Sequence, residues 1–112
     1  MTVEWAFLRK NWTTSAKTRE FLESHDLAIT AEDDARKMRI EREEAWAKLQ
    51  TADKIYATKG RKLLEWEPSA ETQEEILDVV IGRSGNLRAP TIYVNNVYIV
   101  GFDDAVYQQY LG

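Results

Sequence analysis

Few side chains in this sequence could act as a nucleophile or as a base. The chain contains no cysteine and a single histidine, His25, which excludes thiol chemistry and argues against a histidine metal site or a Ser-His-Asp relay. Ser15 has a hydroxyl at the head of a predicted helix, but no candidate base lies near it because His25 is about a helix length away. We therefore interpret Ser15 as an ordinary cap or first-turn residue, and no residue is a certain catalyst.

Charged side chains suggest an anion site more readily than a metal site. Arg9, Lys10 and Lys17 surround the start of the first predicted helix, where free backbone N–H groups favour a small anion such as phosphate or glutathione. More often such charges simply solvate a surface, and we interpret Arg36, Lys37 and Arg39 in that way too. The acidic run over 32–34 lacks the ligand spacing of a metal site. We predict no metal ion and no cofactor.

The composition limits the classes of protein. The 112 residues carry fifteen Lys and Arg against nineteen Asp and Glu, a formal charge of −4. This acidic balance argues against nucleic acid as a partner, since phosphates are met by basic surfaces. No apolar run approaches the length that crosses a bilayer, and no secretory signal is evident. We expect a single-domain cytoplasmic protein with no membrane partner, and the absence of cysteine fits a reducing compartment.

The elements that must position these residues begin with a β-α-β unit. Apolar residues alternate along a predicted strand over 2–8, and a second strand is predicted over 27–31. Between them the spacing predicts a helix that ends near Ser24, with three candidate N-caps: Thr13, Thr14 and Ser15.

The middle of the chain is predicted to be mostly helical. Apolar spacing indicates a helix over 40–50 and another over 69–81, with Ser69 as its cap and Gly82 and Gly85 closing it. The stretch over 55–66 fits either a hairpin around Gly60 or a short helix, and its periodicity does not decide between them.

The C-terminal part predicts a hairpin followed by a helix. Asn95 and Asn96 separate two apolar runs over 91–94 and 97–100, and asparagine suits a two-residue primed turn. A final helix begins at Asp103 or Asp104. The whole chain therefore predicts an α/β fold in the order β-α-β, a helical middle, then β-β-α.

Several stretches resemble the arsenate reductase (ArsC) and Spx family. Asn11 to Leu22 looks like that family's active-site loop and first helix, and Asp53 to Gly60 like a middle segment. Gly85 to Ile92, followed by Val100 to Asp103, resembles its Arg-Pro strand start and Val-Gly-Phe signature. A small bacterial subgroup, the ArsC-family (seleno)proteins, is the most similar. The resemblance implies a thioredoxin-like fold with a mixed central sheet, one domain over 1–112 and a helical insert over roughly 34–82.

The resemblance places the family's nucleophile at position 12. Family members carry Cys where Trp12 stands, and Cys or Ser where Ser15 stands. In that fold the helix dipole and free N–H groups stabilise a thiolate at the head of the first helix. An indole cannot replace it, because its N–H is a donor without a usable lone pair.

The resemblance also implies an oxyanion-binding arginine set that this chain lacks in part. The residue immediately before Pro90 is Ala89, and another family arginine would fall near Phe102. Arg88 lies one place earlier and would substitute only if the loop shifted. The family pattern further implies that the Ala89–Pro90 bond is cis and faces the start of the first helix.

Trp12 itself has several interpretations. It packs on the domain, as a lone Trp usually does, or it is exposed near Pro90 and anchors a protein partner, since Trp is enriched in binding hot spots. A glycan or aromatic ligand is a lesser option. In the selenoprotein subgroup this position is encoded by UGA, so Trp12 could also stand where the natural protein has selenocysteine; a UGG codon in the native gene would contradict that hypothesis.

Two functions follow. The first is a non-catalytic binding or regulatory module. Its partner would be a protein, the class that the resemblance implies because Spx-type members bind RNA polymerase. Alternatively, it would bind a small anion or thiol at the helix start. The alternative is a thiol- or selenol-dependent oxidoreductase of the glutaredoxin or arsenate reductase kind, with Trp12 at its nucleophile position. The vestigial active-site loop is Trp12-Thr13-Thr14-Ser15, and the candidate binding residues are Asn11, Trp12, Ser15, Arg88, Ala89 and Pro90.

Overall fold

Six strands and four helices make up residues 2–111, the part of the chain that the computed structural model describes. The mixed α/β class predicted from the sequence is confirmed. In chain order the elements are β1 (Thr2–Leu8), α1 (Thr13–Ser24), β2 (Ala28–Asp34), α2 (Arg42–Leu49), β3 (Lys54–Lys59), β4 (Lys62–Trp66), α3 (Gln73–Val80), β5 (Thr91–Val94), β6 (Val97–Val100) and α4 (Asp104–Leu111).

The six strands form one mixed sheet in the order β2-β1-β5-β6-β3-β4. Two neighbouring pairs are parallel, β1 with β2 and β6 with β3. The remaining pairs are antiparallel, and the β3–β4 and β5–β6 pairs are hairpins. The sheet therefore joins the N-terminal β-α-β unit directly to the C-terminal hairpin through β1 and β5.

Helices cover the two faces of the sheet. On one face α1 and α4 pack on the strands through a cluster that includes Phe21, Leu22 and Tyr107. On the other face α2 and α3 supply Leu49 and Ile76 to a second cluster. Burial of apolar side chains on both faces is what stabilises such a layered arrangement.

A buried hydrogen bond fixes α1 against α4. The hydroxyl groups of Thr18 and Tyr107 lie 2.9 Å apart, and burial raises the pKa of the Tyr107 hydroxyl well above its ordinary value. The Thr18 hydroxyl also donates to the carbonyl oxygen of Thr14 at 3.1 Å. Since Thr14 lies in the first turn, this contact ties the head of α1 to the C-terminal helix.

The most regular predictions are confirmed. The strand over 2–8, the helix ending at Ser24 and both strands of the C-terminal hairpin have the predicted bounds. Asn95 and Asn96 adopt φ of 51° and 64°, as a two-residue primed turn requires. The open choice over 55–66 resolves as a hairpin, β3–β4, which turns at Gly60 with φ of 61°.

Four predictions need correction. The second strand, predicted over 27–31, runs over Ala28–Asp34. The middle of the chain is not simply a helical insert, because β3 and β4 lie within it and extend the sheet. The N-cap of α1 is Trp12, with no side-chain cap hydrogen bond, so none of the three predicted capping residues holds that position. Helix α3 begins only at Gln73, because Ser69 and Thr72 instead bond to each other in the preceding turn.

Three loops meet at one edge of the sheet. Because β1 and β2 are parallel, with Leu8 beside Asp34, the segments that follow them leave at the same edge. Strand β5 is antiparallel to β1, with Thr91 beside Phe7, so the segment that precedes β5 arrives there. Such an edge, outside the carboxyl ends of parallel strands, is where α/β sheets commonly bind ligands.

Candidate functional site

A cleft of about 730 Å³ opens at this edge. Its walls come from the loops that follow β1 and β2 and from the segment that precedes β5. Within residues 2–111, no Asp or Glu belongs to the lining, although five arginines do: Arg9, Arg36, Arg39, Arg83 and Arg88. The chain has fifteen Lys and Arg and a net charge of −4. One third of these basic residues therefore line this one cleft.

The five arginines have no carboxylate partners in the described part of the chain. The ion pairs formed within residues 2–111 use other cations, namely Arg19, Arg42 and Lys54. The lining of the cleft therefore combines a high density of positive charge with no carboxylate side chain from residues 2–111.

Arg88 differs from the other four arginines because three hydrogen bonds fix its guanidinium, which is partly buried. Nη1 donates to the carbonyl oxygens of Thr58 at 2.8 Å and Val79 at 3.1 Å, and Nη2 donates to the Thr58 hydroxyl at 3.0 Å. Burial lowers the pKa of Arg88, yet a guanidinium stays protonated in proteins. Its charge is held by neutral acceptors, and no carboxylate of residues 2–111 forms an ion pair with it.

The segment that carries Arg88 is anchored on both sides. The backbone N–H of Leu87 donates to the carbonyl oxygen of Ile40 at 2.7 Å, and that of Arg88 donates to Val80 at 2.9 Å. The Ala89–Pro90 peptide bond that follows is cis, as the family resemblance implied. Pro90 is buried, and its carbonyl oxygen accepts a hydrogen bond from the N–H of Gly101 at 2.7 Å.

Trp12 forms part of the cleft wall at the head of α1. Its side chain is 45% exposed, so the indole is only partly packed on the domain. The guanidinium carbon of Arg9 lies 4.2 Å from the centre of the indole ring, a cation–π contact. Met38 is also exposed and lines the same cleft, so an apolar surface lies beside the arginines.

The predicted site residues are not all brought together. Trp12, Arg88 and Ala89 line the cleft, whereas Asn11 and Ser15 line a separate groove of about 410 Å³, and the buried Pro90 lines neither. Ser15 is 4% exposed, and its Oγ accepts a hydrogen bond from the N–H of Arg9 at 3.0 Å. Ser15 is thus a first-turn residue, as predicted, and it positions the loop that carries Arg9 and Trp12.

The basic residues predicted around the helix start are only partly together. Arg9 lines both pockets and Lys10 lines the smaller groove, while Lys17 lines neither. Thr13 and Thr14 of the predicted loop are exposed and lie outside both linings.

Sequence reasoning missed most of the arginine set. Arg36 and Arg39 are exposed, as predicted for a solvated face, but they also line the cleft, and Arg83 joins them. The signal that could have found them is topological. Strands β1 and β2 are parallel, so the arginines that follow them lie at the same edge of the sheet. Strand β5 is antiparallel to β1, so the arginines that precede β5 lie at that edge too.

Each of the three carboxylates of the acidic run over 32–34 makes a contact within the fold. Glu32 pairs with Arg19, Asp33 accepts a hydrogen bond from the Trp5 indole at 2.8 Å, and Asp34 accepts one from the Arg36 backbone N–H at 2.8 Å. Across residues 2–111 there is no group of three or more His, Asp or Glu able to hold a metal ion.

Comparison with known proteins adds no assignment. No family model matches the chain, and no curated protein does so either. Over residues 2–111, none of the helices has the length and apolar character needed to span a bilayer.

Proposed function

We propose that this protein is a non-catalytic binding module with a thioredoxin-like core, and that it binds an anionic ligand in the arginine-lined cleft. The observation that carries the proposal is the cleft's charge: five arginines line it, and no carboxylate of residues 2–111 does. Guanidinium groups bind carboxylates and phosphates through paired, charge-assisted hydrogen bonds. An anionic ligand would supply the counter-charge that the described chain does not.

The topology supports the thioredoxin-like part of the proposal. The β-α-β unit of β1, α1 and β2 and the β-β-α unit of β5, β6 and α4 occur in the order expected from the family resemblance. Strand β1 pairs with β2 of its own unit and with β5 of the other unit, and α1 and α4 cover one face of the sheet. The β3–β4 hairpin would then be an addition at the β6 edge.

The absence of a reactive side chain at position 12 supports the non-catalytic part. Trp12 is the N-cap of α1, where a nucleophile would gain most from the helix dipole. Its indole contacts the Arg9 guanidinium instead. Ser15 is buried, and its oxygen already accepts the Arg9 N–H.

Multivalent anions are expected to stabilise the chain against thermal unfolding. At constant ionic strength, citrate should raise Tm saturably, whereas chloride should not, because ligands that bind only the folded state stabilise it by mass action. Arg36→Ala and Arg83→Ala should each weaken the effect about tenfold, the equivalent of one charge-assisted hydrogen bond. The control is Arg61→Ala, which removes an exposed arginine from the β3–β4 turn, outside the cleft.

An equal response of the native chain to citrate and chloride would overturn this proposal. So would an Arg61→Ala variant that loses as much stabilisation as the two cleft variants, since binding would then follow net charge alone.

A second candidate, an oxidoreductase, is favoured by one specific observation. Position 12 is exposed at the N-cap of α1 and lies beside Arg9, so the helix end and the guanidinium would both stabilise a selenolate or thiolate there. This candidate requires that Trp12 is not the native residue. A UGA codon at position 12 of the native gene would support it, and UGG would exclude it.

Restoring a thiol tests the chemistry of position 12. If the site retains redox competence, Trp12→Cys should reduce a small disulfide at the expense of glutathione at least tenfold faster than Thr13→Cys. The matched control places its thiol one residue further along the same exposed turn. Equal rates for the two variants, measured by release of a coloured thiol, would leave the binding module as the only candidate.

A further inference from the structure

We infer that the cleft receives an acidic segment of a partner protein, an extended peptide with several carboxylates and one large apolar side chain among them. This inference rests on the proposed function, because it names the ligand of the same cleft. Its support comes from the number of arginines, the apolar residues beside them and the type of donors in the wall.

The charge of the cleft fits a ligand with several separated negative groups. The arginines come from three chain segments: Arg9 follows β1, Arg36 and Arg39 follow β2, and Arg83 and Arg88 precede β5. A single small oxyanion does not carry enough charge to balance five guanidinium groups on three walls. The volume of about 730 Å³ lies within the range of roughly 300–1,000 Å³ found for clefts that hold much larger ligands.

The apolar part of the wall fits a side chain of a peptide. The exposed large hydrophobic residues of the described chain are Trp12, Met38 and Leu63, and the first two line the cleft. Trp is enriched among residues that dominate binding energy, and Met adapts its shape to an apolar partner. A purely ionic ligand would leave both side chains uncovered.

The donors in the wall favour carboxylates over a phosphate chain. Phosphate cradles typically use free backbone N–H groups of glycine-rich turns. Within residues 2–111 the lining contains one glycine, Gly82, and its N–H donates to the carbonyl oxygen of Asn86 at 2.9 Å. That N–H group is therefore occupied, and guanidinium forks remain as the charged donors of the cleft.

Direct binding to synthetic peptides tests the inference. The probe is a fluorescein-labelled decapeptide of alternating Glu and Asp with one central Leu, followed by fluorescence anisotropy at low salt. We expect saturable binding that disappears when Glu and Asp become Gln and Asn. Replacing the peptide Leu by Ala, or Trp12→Ala in the protein, should weaken binding severalfold.

Charge reversal in the cleft provides the matched comparison. Arg36→Glu and Arg83→Glu should each weaken peptide binding by more than tenfold, whereas Arg61→Glu, which makes the same charge change on the β3–β4 turn, should leave most of it. Tm measurements on each variant confirm that it is folded. Equal losses for all three variants would overturn the assignment to this cleft.

Two further probes distinguish failure of the inference from failure of the proposed function. A ten-nucleotide single-stranded RNA and inorganic phosphate are titrated against the same variants. If either binds in an Arg36- and Arg83-dependent manner while the acidic peptide does not, the peptide inference is wrong and the anion-binding module stands. If peptide, RNA, phosphate and citrate all fail to bind, both proposals are wrong.

Discussion

Gly101→Ala is expected to lower the free energy of unfolding by about 3 kcal/mol or more, from steric overlap combined with backbone strain. Gly101 has φ of 88°, and an added Cβ would overlap Oγ1 of Thr58. The N–H of Gly101 donates to the carbonyl oxygen of Pro90 at 2.7 Å, so the backbone cannot move away without losing that bond. Thr58 would have to move instead, and it holds Arg88.

Denaturant titration of matched glycine variants tests this result. Gly60→Ala is the control, because Gly60 also has a positive φ, of 61°, but has no atom within 4 Å of the added Cβ. It should cost only about 1 kcal/mol, the strain of the backbone conformation alone. Adding Thr58→Ala to Gly101→Ala should recover part of the loss. Equal costs for the two single glycine variants would contradict the proposed overlap.

Arg88→Met is expected to lower the free energy of unfolding by about 3 kcal/mol, because polar groups left without partners in a buried setting are destabilising. The substitution preserves much of the side-chain length but removes three hydrogen bonds, which satisfy two carbonyl oxygens and the Thr58 hydroxyl. Since Arg88 lines the cleft, anion binding should weaken as well.

Arg83→Met separates the two effects of that change. Arg83 lines the same cleft but is exposed, so this variant should weaken anion binding while the stability changes by less than about 0.5 kcal/mol. Chemical denaturation and citrate titration of both variants provide the comparison. If Arg88→Met is as stable as Arg83→Met, the three hydrogen bonds of Arg88 contribute little, and its role is confined to the ligand.

Local patterns predicted those elements whose signal lies within a few residues. Two apolar runs on either side of the Asn95-Asn96 turn defined the hairpin with the bounds that the structure has. Strand β2 was predicted too short, because it continues through Glu32, Asp33 and Asp34 at the edge of the sheet. An exposed edge strand has little hydrophobic alternation to reveal where it ends.

The cleft was less predictable because no local pattern encodes it. Arg9, Arg36 and Arg83 are far apart in the chain and meet only through the pairing of β1 with β2 and β5. The sequence around Gly101 also did not indicate why a glycine is needed there. Its lack of a side chain makes room for Thr58, a residue more than forty positions away that holds the arginine preceding the cis bond.

The concentration of arginines in one cleft makes the molecule electrically polarised. A chain with net charge −4 repels an approaching anion as a whole, while the cleft attracts it. At physiological salt the screening length is about 8 Å, so a distant anion experiences little of either effect. The arginines act on an anion only after it reaches the correct edge of the sheet. They therefore select the orientation of the anion relative to the protein only in the last step of association.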